Sequence, residues 1–179
     1  MVDLTDIGVW QGKALMINKQ TKHKKWANLT WISDSRVQKM KINVYAVLDI
    51  PVASYLSSEE NTDLWLFTED KHYQSTDGAK LFKYLTKIEI DPKVFFSLLG
   101  RPEAPGGSWS CTDVDRLLRC QSKSLKIKLS VNYGDKDQRN IEIYRQDQLL
   151  RLKLTRSKVE VKARHFKSIS TPHYRTIKI

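Results

Sequence analysis

The chain has 179 residues, enough for one domain with a substantial core, and 40 % of them are hydrophobic. No apolar run approaches the roughly 18 residues of a transmembrane helix, which excludes a helical span within the printed sequence. The 31 basic residues exceed the 20 acidic ones and give a net charge of +11. Nucleic acid, an anionic membrane surface or an acidic protein would suit this charge, as would a solvated sheet face, which we favour.

Alternation of apolar and polar residues with a period of two predicts strands over most of the chain outside residues 76–106. The first two predicted strands are 7–17 and 26–32, and a long strand over 40–48 follows them. Pro51 cannot donate a ladder hydrogen bond, so it marks a turn, a bulge or a sheet edge.

Helical spacing replaces this alternation after Thr76. The first predicted helix has Thr76 or Asp77 as its N-cap, and the second begins at Asp91 and closes at Gly100. The apolar residues of these two helices are Leu81, Phe82, Leu85, Phe95, Leu98 and Leu99.

Strands are predicted to resume at Trp109, and the same alternation continues almost to the end of the chain. A sheet of so many twisted strands must curl and therefore has a concave side. We predict one mainly β domain over 1–179, a strongly curved antiparallel sheet whose concave side is covered by a helical lid at about 76–100. The later predicted strands are 108–112, 117–122, 125–133, 140–144, 149–155, 158–163, 166–169 and 174–179.

The residues that usually carry catalysis or bind metal form no recognisable motif in this sequence. The four histidines are scattered without the spacing of metal ligands, and neither a nucleophile elbow nor a phosphate-binding loop is present. We therefore expect no enzymatic activity, no metal and no cofactor, although a catalytic group assembled in space would escape this test. The histidines are His23, His72, His165 and His173.

Cys111 and Cys120 lie in consecutive predicted strands joined by a short turn. If the turn is centred at Asp115 and Arg116, the two cysteines face each other with Cα atoms about 4.5 Å apart, within disulfide reach. A disulfide is favoured over two unlinked thiols, and it would indicate the periplasm or the exterior rather than the cytosol.

Two further features leave alternatives open. Aromatic residues stand next to basic ones, as at Lys25 and Trp26, but in strands such aromatics are more often core residues than nucleic-acid contacts. The apolar segment 48–53 lies at a strand connection where polar residues are usual. It is either a bulge with inward-facing side chains or a projecting apolar tip.

The order of these segments resembles the bacterial lipoprotein-localisation family, the LolA/LolB-type carriers and receptors. The ending, in which Pro172 and Tyr174 precede a short apolar strand, is closer to the LolB-like receptor. The motifs that carry the resemblance are Gly12-Lys13-Ala14, the Trp-bearing strand 26–32, Asp49-Ile50-Pro51-Val52-Ala53, Leu64-Trp65-Leu66-Phe67, the strand at Tyr73, the helix at 78–85, Phe95-Phe96-Ser97-Leu98-Leu99-Gly100, the Pro/Gly loop before Trp109, and 166–179.

The resemblance implies an unclosed half β-barrel whose apolar cavity holds the acyl chains of lipoproteins in transit to the outer membrane. It also implies a projecting membrane-delivery loop, whose matching residue is Val52 with Ile50 and Pro51 beside it. The candidates for lining the lipid cavity are Leu29, Trp31, Met40, Ile42, Val44, Ala46, Leu48, Leu64, Leu66, Leu129, Val131, Ile141 and Ile143.

The partners implied are acylated lipoproteins, a periplasmic carrier or donor protein and the inner leaflet of the outer membrane. The expected protein is a periplasmic monomer that does not bind nucleic acid. A family receptor would be anchored through a lipidated N-terminal Cys, which would have to precede Met1. The alternatives are a periplasmic sensor or scaffold with the same fold and a basic nucleic-acid-binding β-domain.

Overall fold

The computed structural model describes residues 7–100 and 102–179, and its main feature is one open, curved sheet of twelve strands. The strands are β1 (Ile7–Asn18), β2 (Lys24–Asp34), β3 (Lys39–Tyr45), β4 (Pro51–Ser57), β5 (Thr62–Leu66), β6 (Lys71–Ser75), β7 (Trp109–Val114), β8 (Leu117–Ser122), β9 (Ile127–Asn132), β10 (Gln138–Arg145), β11 (Gln148–Ser157) and β12 (Arg175–Lys178).

The order of strands across the sheet is β12-β6-β5-β4-β3-β2-β1-β11-β10-β9-β8-β7. Two antiparallel meanders, β1 to β6 and β7 to β11, are joined where β1 pairs with β11. A Cβ at Gly12 would lie 1.9 Å from the Lys153 carbonyl oxygen, so this close approach of the two strands requires glycine. Every pair is antiparallel except β12 with β6, which makes the sheet mixed. The predicted mainly β fold with one curved sheet is confirmed.

Two helices interrupt the strand order between β6 and β7. Helix α1 (Gly78–Thr86) is capped by the Asp77 carboxylate, which accepts hydrogen bonds from the backbone N–H groups of Ala79 and Lys80. Helix α2 (Val94–Leu99) follows Asp91, whose carboxylate accepts a hydrogen bond from the Lys93 N–H at 2.9 Å. Of the two caps proposed for α1, Asp77 is therefore the one used.

The core lies between the helices and one face of the sheet, here called the covered face. Because buried residues from strands as far apart as β4 and β9 belong to one cluster with the helices, the covered face is the concave one. The largest fully buried side chains of this core are aromatic and come from both the sheet and the helices: Trp10, Trp31, Tyr55, Phe82 and Phe95.

The opposite, outer face of the sheet is crossed by the chain between β11 and β12. Lys41, which points away from the core in β3, donates a hydrogen bond to the Lys167 carbonyl oxygen at 3.0 Å. Trp65 of β5 also points outward and is nevertheless fully buried. The strands predicted at 158–163 and 166–169 are wrong, because this segment lies across the sheet and contains only a 3-10 turn.

Candidate functional site

The predicted lining residues mostly meet on the covered face, as their alternation requires. Nine of them are buried in the central cluster and two are partly buried against it. The buried ones are Leu29, Trp31, Met40, Ile42, Leu64, Leu129, Val131, Ile141 and Ile143, and the partly buried ones are Val44 and Leu66. The residues assigned to the lid also reach this cluster, with Leu81, Phe82, Phe95, Leu98 and Leu99 buried and Leu85 partly buried.

Aromatic side chains hold the helices against the sheet. The ring centroid of Trp31 in β2 lies 4.6 Å from that of Phe95 in α2 and 6.4 Å from that of Phe82 in α1. Tyr55 of β4 packs edge-on against Phe82 at 5.9 Å, and its hydroxyl donates a hydrogen bond to the Gly78 carbonyl oxygen. Burial raises the pKa of Tyr55, so this hydroxyl keeps its proton. The seam between helices and sheet is therefore mainly apolar, and these side chains fill it.

The connection between the helices also belongs to the seam, which sequence reasoning missed. Ile88 and Ile90 are fully buried and join the same cluster, as does Trp10 of β1. The alternation of Ile88 and Ile90 was the available signal, since apolar residues two apart in an extended segment share a face.

Arg139 of β10 is a buried cation on the covered face, with 5 % of its surface exposed. Its guanidinium donates to the carbonyl oxygens of Leu99 and Gly100, where α2 ends. It also donates to two carbonyls of the turn before β10 and to that of Gln138, the first residue of β10. It also lies over the Trp10 ring, 5.0 Å from the centroid. Burial, with repulsion from Arg156, lowers the pKa of Arg139. This side chain links the end of α2 to the sheet, and no sequence pattern predicted it.

The connection between β3 and β4 corrects two assignments made from sequence. Leu48 and Ala46 were expected on the interior face of a strand, but β3 ends at Tyr45, where the pairing with β4 shifts register. Leu48 is instead 88 % exposed, in a turn where its φ is 62°.

An apolar tip does project at this connection, but Val52 is not its apex. Val52 is half-buried within β4, whereas Val47 is 80 % exposed and Ile50 56 % exposed, with Pro51 exposed beside them. We call Val47, Leu48 and Ile50 the apolar tip. Together with Lys13 and Trp26, residues 46–48 line a surface cleft.

Cys111 and Cys120 form a disulfide that links β7 to β8. They are direct cross-strand partners, because the turn is centred at Asp115 and Arg116, both with positive φ as a two-residue hairpin turn requires. The predicted pairing and its geometric premise are both confirmed.

A group of hydrogen-bonded polar side chains on the outer face, centred on His72, was not predicted. His72 of β6 shares a hydrogen bond with Asp63 at 2.7 Å and another with Thr176 of β12 at 3.3 Å, and its ring stacks on Trp65. These hydrogen bonds hold the edge strand β12 against β6.

Among residues 7–100 and 102–179, no group of three or more His, Cys, Asp or Glu is arranged to hold a metal ion. Within the same residues, none of the helices is both long and apolar enough for a membrane crossing.

No protein-family model matches the chain, and no curated protein matches it in sequence. A solved structure with a similar fold is the crystal structure of an uncharacterized conserved protein from Thermus thermophilus. The similarity covers 99 % of this chain and 94 % of that chain, with a TM-score of 0.53 and 6 % sequence identity. At this identity the comparison shows the fold alone.

Proposed function

We propose that the protein binds the acyl chains of lipoproteins between its sheet and its two helices, and delivers them to the outer membrane. In this interpretation the curved sheet is an unclosed half-barrel and residues 78–99 are its lid. The observation that carries the proposal is the mainly apolar seam between the two layers. The sheet ladder runs from β12 to β7 without using any backbone group of the helices, so the lid is a separable layer.

Exchange of contacts explains how such a packed interior can accept a ligand. Burial of one CH₂ group is worth about 0.8 kcal/mol, so an exposed acyl chain is costly in water. If the lid tilts away, the acyl chain takes over the contacts that Phe82 and Phe95 make with Trp31, and apolar surface replaces apolar surface. The exchange of apolar contacts itself has a small net free energy, but opening must also break the hydrogen bonds from Tyr55 to Gly78 and from Arg139 to Leu99 and Gly100.

Two other features support delivery in an oxidising compartment. The disulfide between Cys111 and Cys120 is typical of a periplasmic or extracellular protein. The apolar tip is an exposed aliphatic surface of the kind that contacts a membrane, and Leu48 at its apex replaces Val52 as the residue proposed for delivery. The acylated lipoproteins, a donor carrier and the inner leaflet of the outer membrane remain the proposed partners.

Brominated acyl chains test the site directly, because bromine quenches tryptophan fluorescence at short range. Trp31 and Trp65 are both fully buried, but Trp31 faces the lid and Trp65 the outer face. Among the described residues, neither indole N–H has a hydrogen-bond partner, so Trp→Phe breaks no hydrogen bond, although the smaller ring leaves a cavity in the core.

Trp10 is buried on the same face, directly opposite Trp31, so both must be changed to remove the reporters of the seam. A brominated lipopeptide should quench the wild-type protein and the Trp65→Phe variant, and should quench a variant with both Trp10→Phe and Trp31→Phe much less. Equal quenching of the two variants, or none of the wild-type protein, would show that acyl chains do not enter the seam. Circular dichroism of both variants controls for folding.

A further inference from the structure

The apolar tip does not stand alone at its end of the sheet. Strand β2 begins at Lys24, but β3 ends at Tyr45, which is paired with Asn28. The first residues of β2 therefore extend beyond β3, and the connection between β3 and β4 lies beside them. Trp26, in this extension, is 67 % exposed and lines the same cleft as Val47 and Leu48.

Several lysines lie at the same end of the sheet as this apolar group. Residues 7–33 contain five lysines and no acidic residue. Lys22, Lys24 and Lys25 are exposed in and just after the turn between β1 and β2, and Lys13 lines the cleft. We call Lys13, Lys22, Lys24, Lys25, Trp26 and the apolar tip the end surface.

The folded chain does not neutralise these lysines. In the part of the chain that the structure describes, Lys13, Lys22, Lys24 and Lys25 have no carboxylate within ion-pair distance. Lys13 moreover faces Lys153 directly across β1 and β11, and like charges in that position destabilise a sheet. Asp49, between Leu48 and Ile50, is the one acidic residue within 46–50, and it forms no ion pair with these lysines. The end surface is thus electrostatically complementary to an anion.

The lysine, tryptophan and aliphatic side chains of the end surface together indicate which class of anion it binds. Free phosphate or an acidic peptide would explain the lysines but not the exposed aliphatic residues. In a membrane interface, aliphatic side chains enter the acyl region, tryptophan lies at headgroup level, and lysine reaches lipid phosphates.

We infer that the end surface binds the anionic leaflet of a bilayer, the apolar tip entering it while the lysines contact phospholipid phosphates. The inference rests on the proposed function, since it names the lipid chemistry of the delivery step. The vesicle tests of the end surface nevertheless give their result whether or not acyl chains enter the seam.

Cosedimentation with vesicles tests the inference. The wild-type protein should bind vesicles that contain phosphatidylglycerol and dissociate as salt rises, and should bind pure phosphatidylcholine vesicles far less. Each lysine near an anionic surface contributes about 1 kcal/mol, so changing Lys22, Lys24 and Lys25 to Gln should weaken binding on the order of 100-fold at low salt.

A matched variant separates local contact from net charge. Changing Lys80, Lys93 and Lys136 to Gln removes the same charge from exposed positions on the helical side and in the turn before β10. This variant should bind within about threefold of the wild type, because charges beyond a Debye length are largely screened. Equal losses in the two triple variants would reduce the effect to net charge and overturn the inference.

Trp26 supplies a second, optical readout. Three of the five tryptophans are fully buried and Trp109 is half-buried, so Trp26 is the one that a membrane would newly cover. Anionic vesicles should shift the emission of the wild-type protein to shorter wavelength, and Trp26→Phe should abolish the shift while binding persists.

The outcomes distinguish this inference from the proposed function. Vesicle binding without quenching of the buried tryptophans of the covered face by brominated acyl chains would retain the end surface as a membrane contact and reject the carrier. Quenching without vesicle binding would reject the end surface as a membrane contact and favour an acidic protein partner there.

Discussion

Arg139 illustrates how one buried side chain can fix the position of a whole layer. Its guanidinium satisfies the Leu99 and Gly100 carbonyl oxygens at the end of α2, and those acceptors lose their partner in an Arg139→Met variant. Leaving buried acceptors unpaired costs about 1–3 kcal/mol. We expect the free energy of unfolding to fall by about 3 kcal/mol, measured by urea denaturation.

A second expectation for the same variant concerns the lid. Proteolytic cleavage after α2 should accelerate more than the loss of stability alone explains, because the end of the helix is no longer held to β10. Arg139→Lys is the control, since it keeps the charge but cannot reach both carbonyls with a planar fork. If Arg139→Met were as stable as the wild type, the hydrogen bonds from Arg139 to the end of α2 would contribute nothing to the free energy of unfolding.

Leu48 combines full exposure with an unfavourable backbone conformation. Leucine at a φ of 62° is strained, whereas asparagine tolerates the left-handed region. Leu48→Asn should therefore leave the free energy of unfolding unchanged or raise it by up to about 1 kcal/mol, and should still weaken vesicle binding at least tenfold.

Val52 provides the comparison for Leu48, because it is half-buried in β4. Val52→Asn should lower the free energy of unfolding and leave vesicle binding nearly unchanged. The reverse pattern, with binding lost in Val52→Asn and kept in Leu48→Asn, would return the delivery role to Val52.

The β7–β8 hairpin is an edge element, and its disulfide closes a short loop with a sequence separation of 9. Chain-entropy arguments give a stabilisation of roughly 3 kcal/mol for a loop of this size. Changing both cysteines to Ala should lower the free energy of unfolding by about that amount in oxidising buffer. The wild-type protein in dithiothreitol should match the double variant, and a difference between them would show that the substitution itself disturbs the hairpin.

The strands and helices were predictable wherever side chains alternate over a covered face. The disulfide followed from hairpin geometry, since a turn at Asp115 and Arg116 places Cys111 opposite Cys120. Ala46 and Leu48 were misplaced on the interior face because alternation continues through them although β3 ends at Tyr45. Apolar periodicity reports which residues could face a core, and it does not report where the partner strand ends.

The C-terminal segment was misjudged for a related reason. Residues 158–163 alternate in sequence, but they join no ladder, and only Val161 of their apolar side chains is half-buried, whereas Val159 is 55 % exposed. Arg139 escaped prediction altogether, because its partners are main-chain carbonyls that any sequence would supply. Sequence patterning thus indicates burial well within paired strands, but it fails beyond a strand's end, as at Leu48, and in a segment that crosses the sheet, as at Val159.

At the scale of the whole molecule, the sheet and the two helices differ in how they are held in place. Strands β1, β2 and β11 are central in a continuous ladder, whereas α1 and α2 have nine and six residues and are fixed mainly by side chains. Such elements open locally at a lower free energy than the ladder does.

Hydrogen–deuterium exchange followed by mass spectrometry should therefore show peptides within 78–99 exchanging well before those within 7–18 and 148–157. Saturating lipopeptide should change exchange in 78–99 and leave the hairpin at 109–122 unchanged, because that hairpin is an edge element closed by its own disulfide. Uniform protection across lid and sheet would mean that the seam opens only by global unfolding. Acyl chains would then have no route to Trp31 in the folded protein.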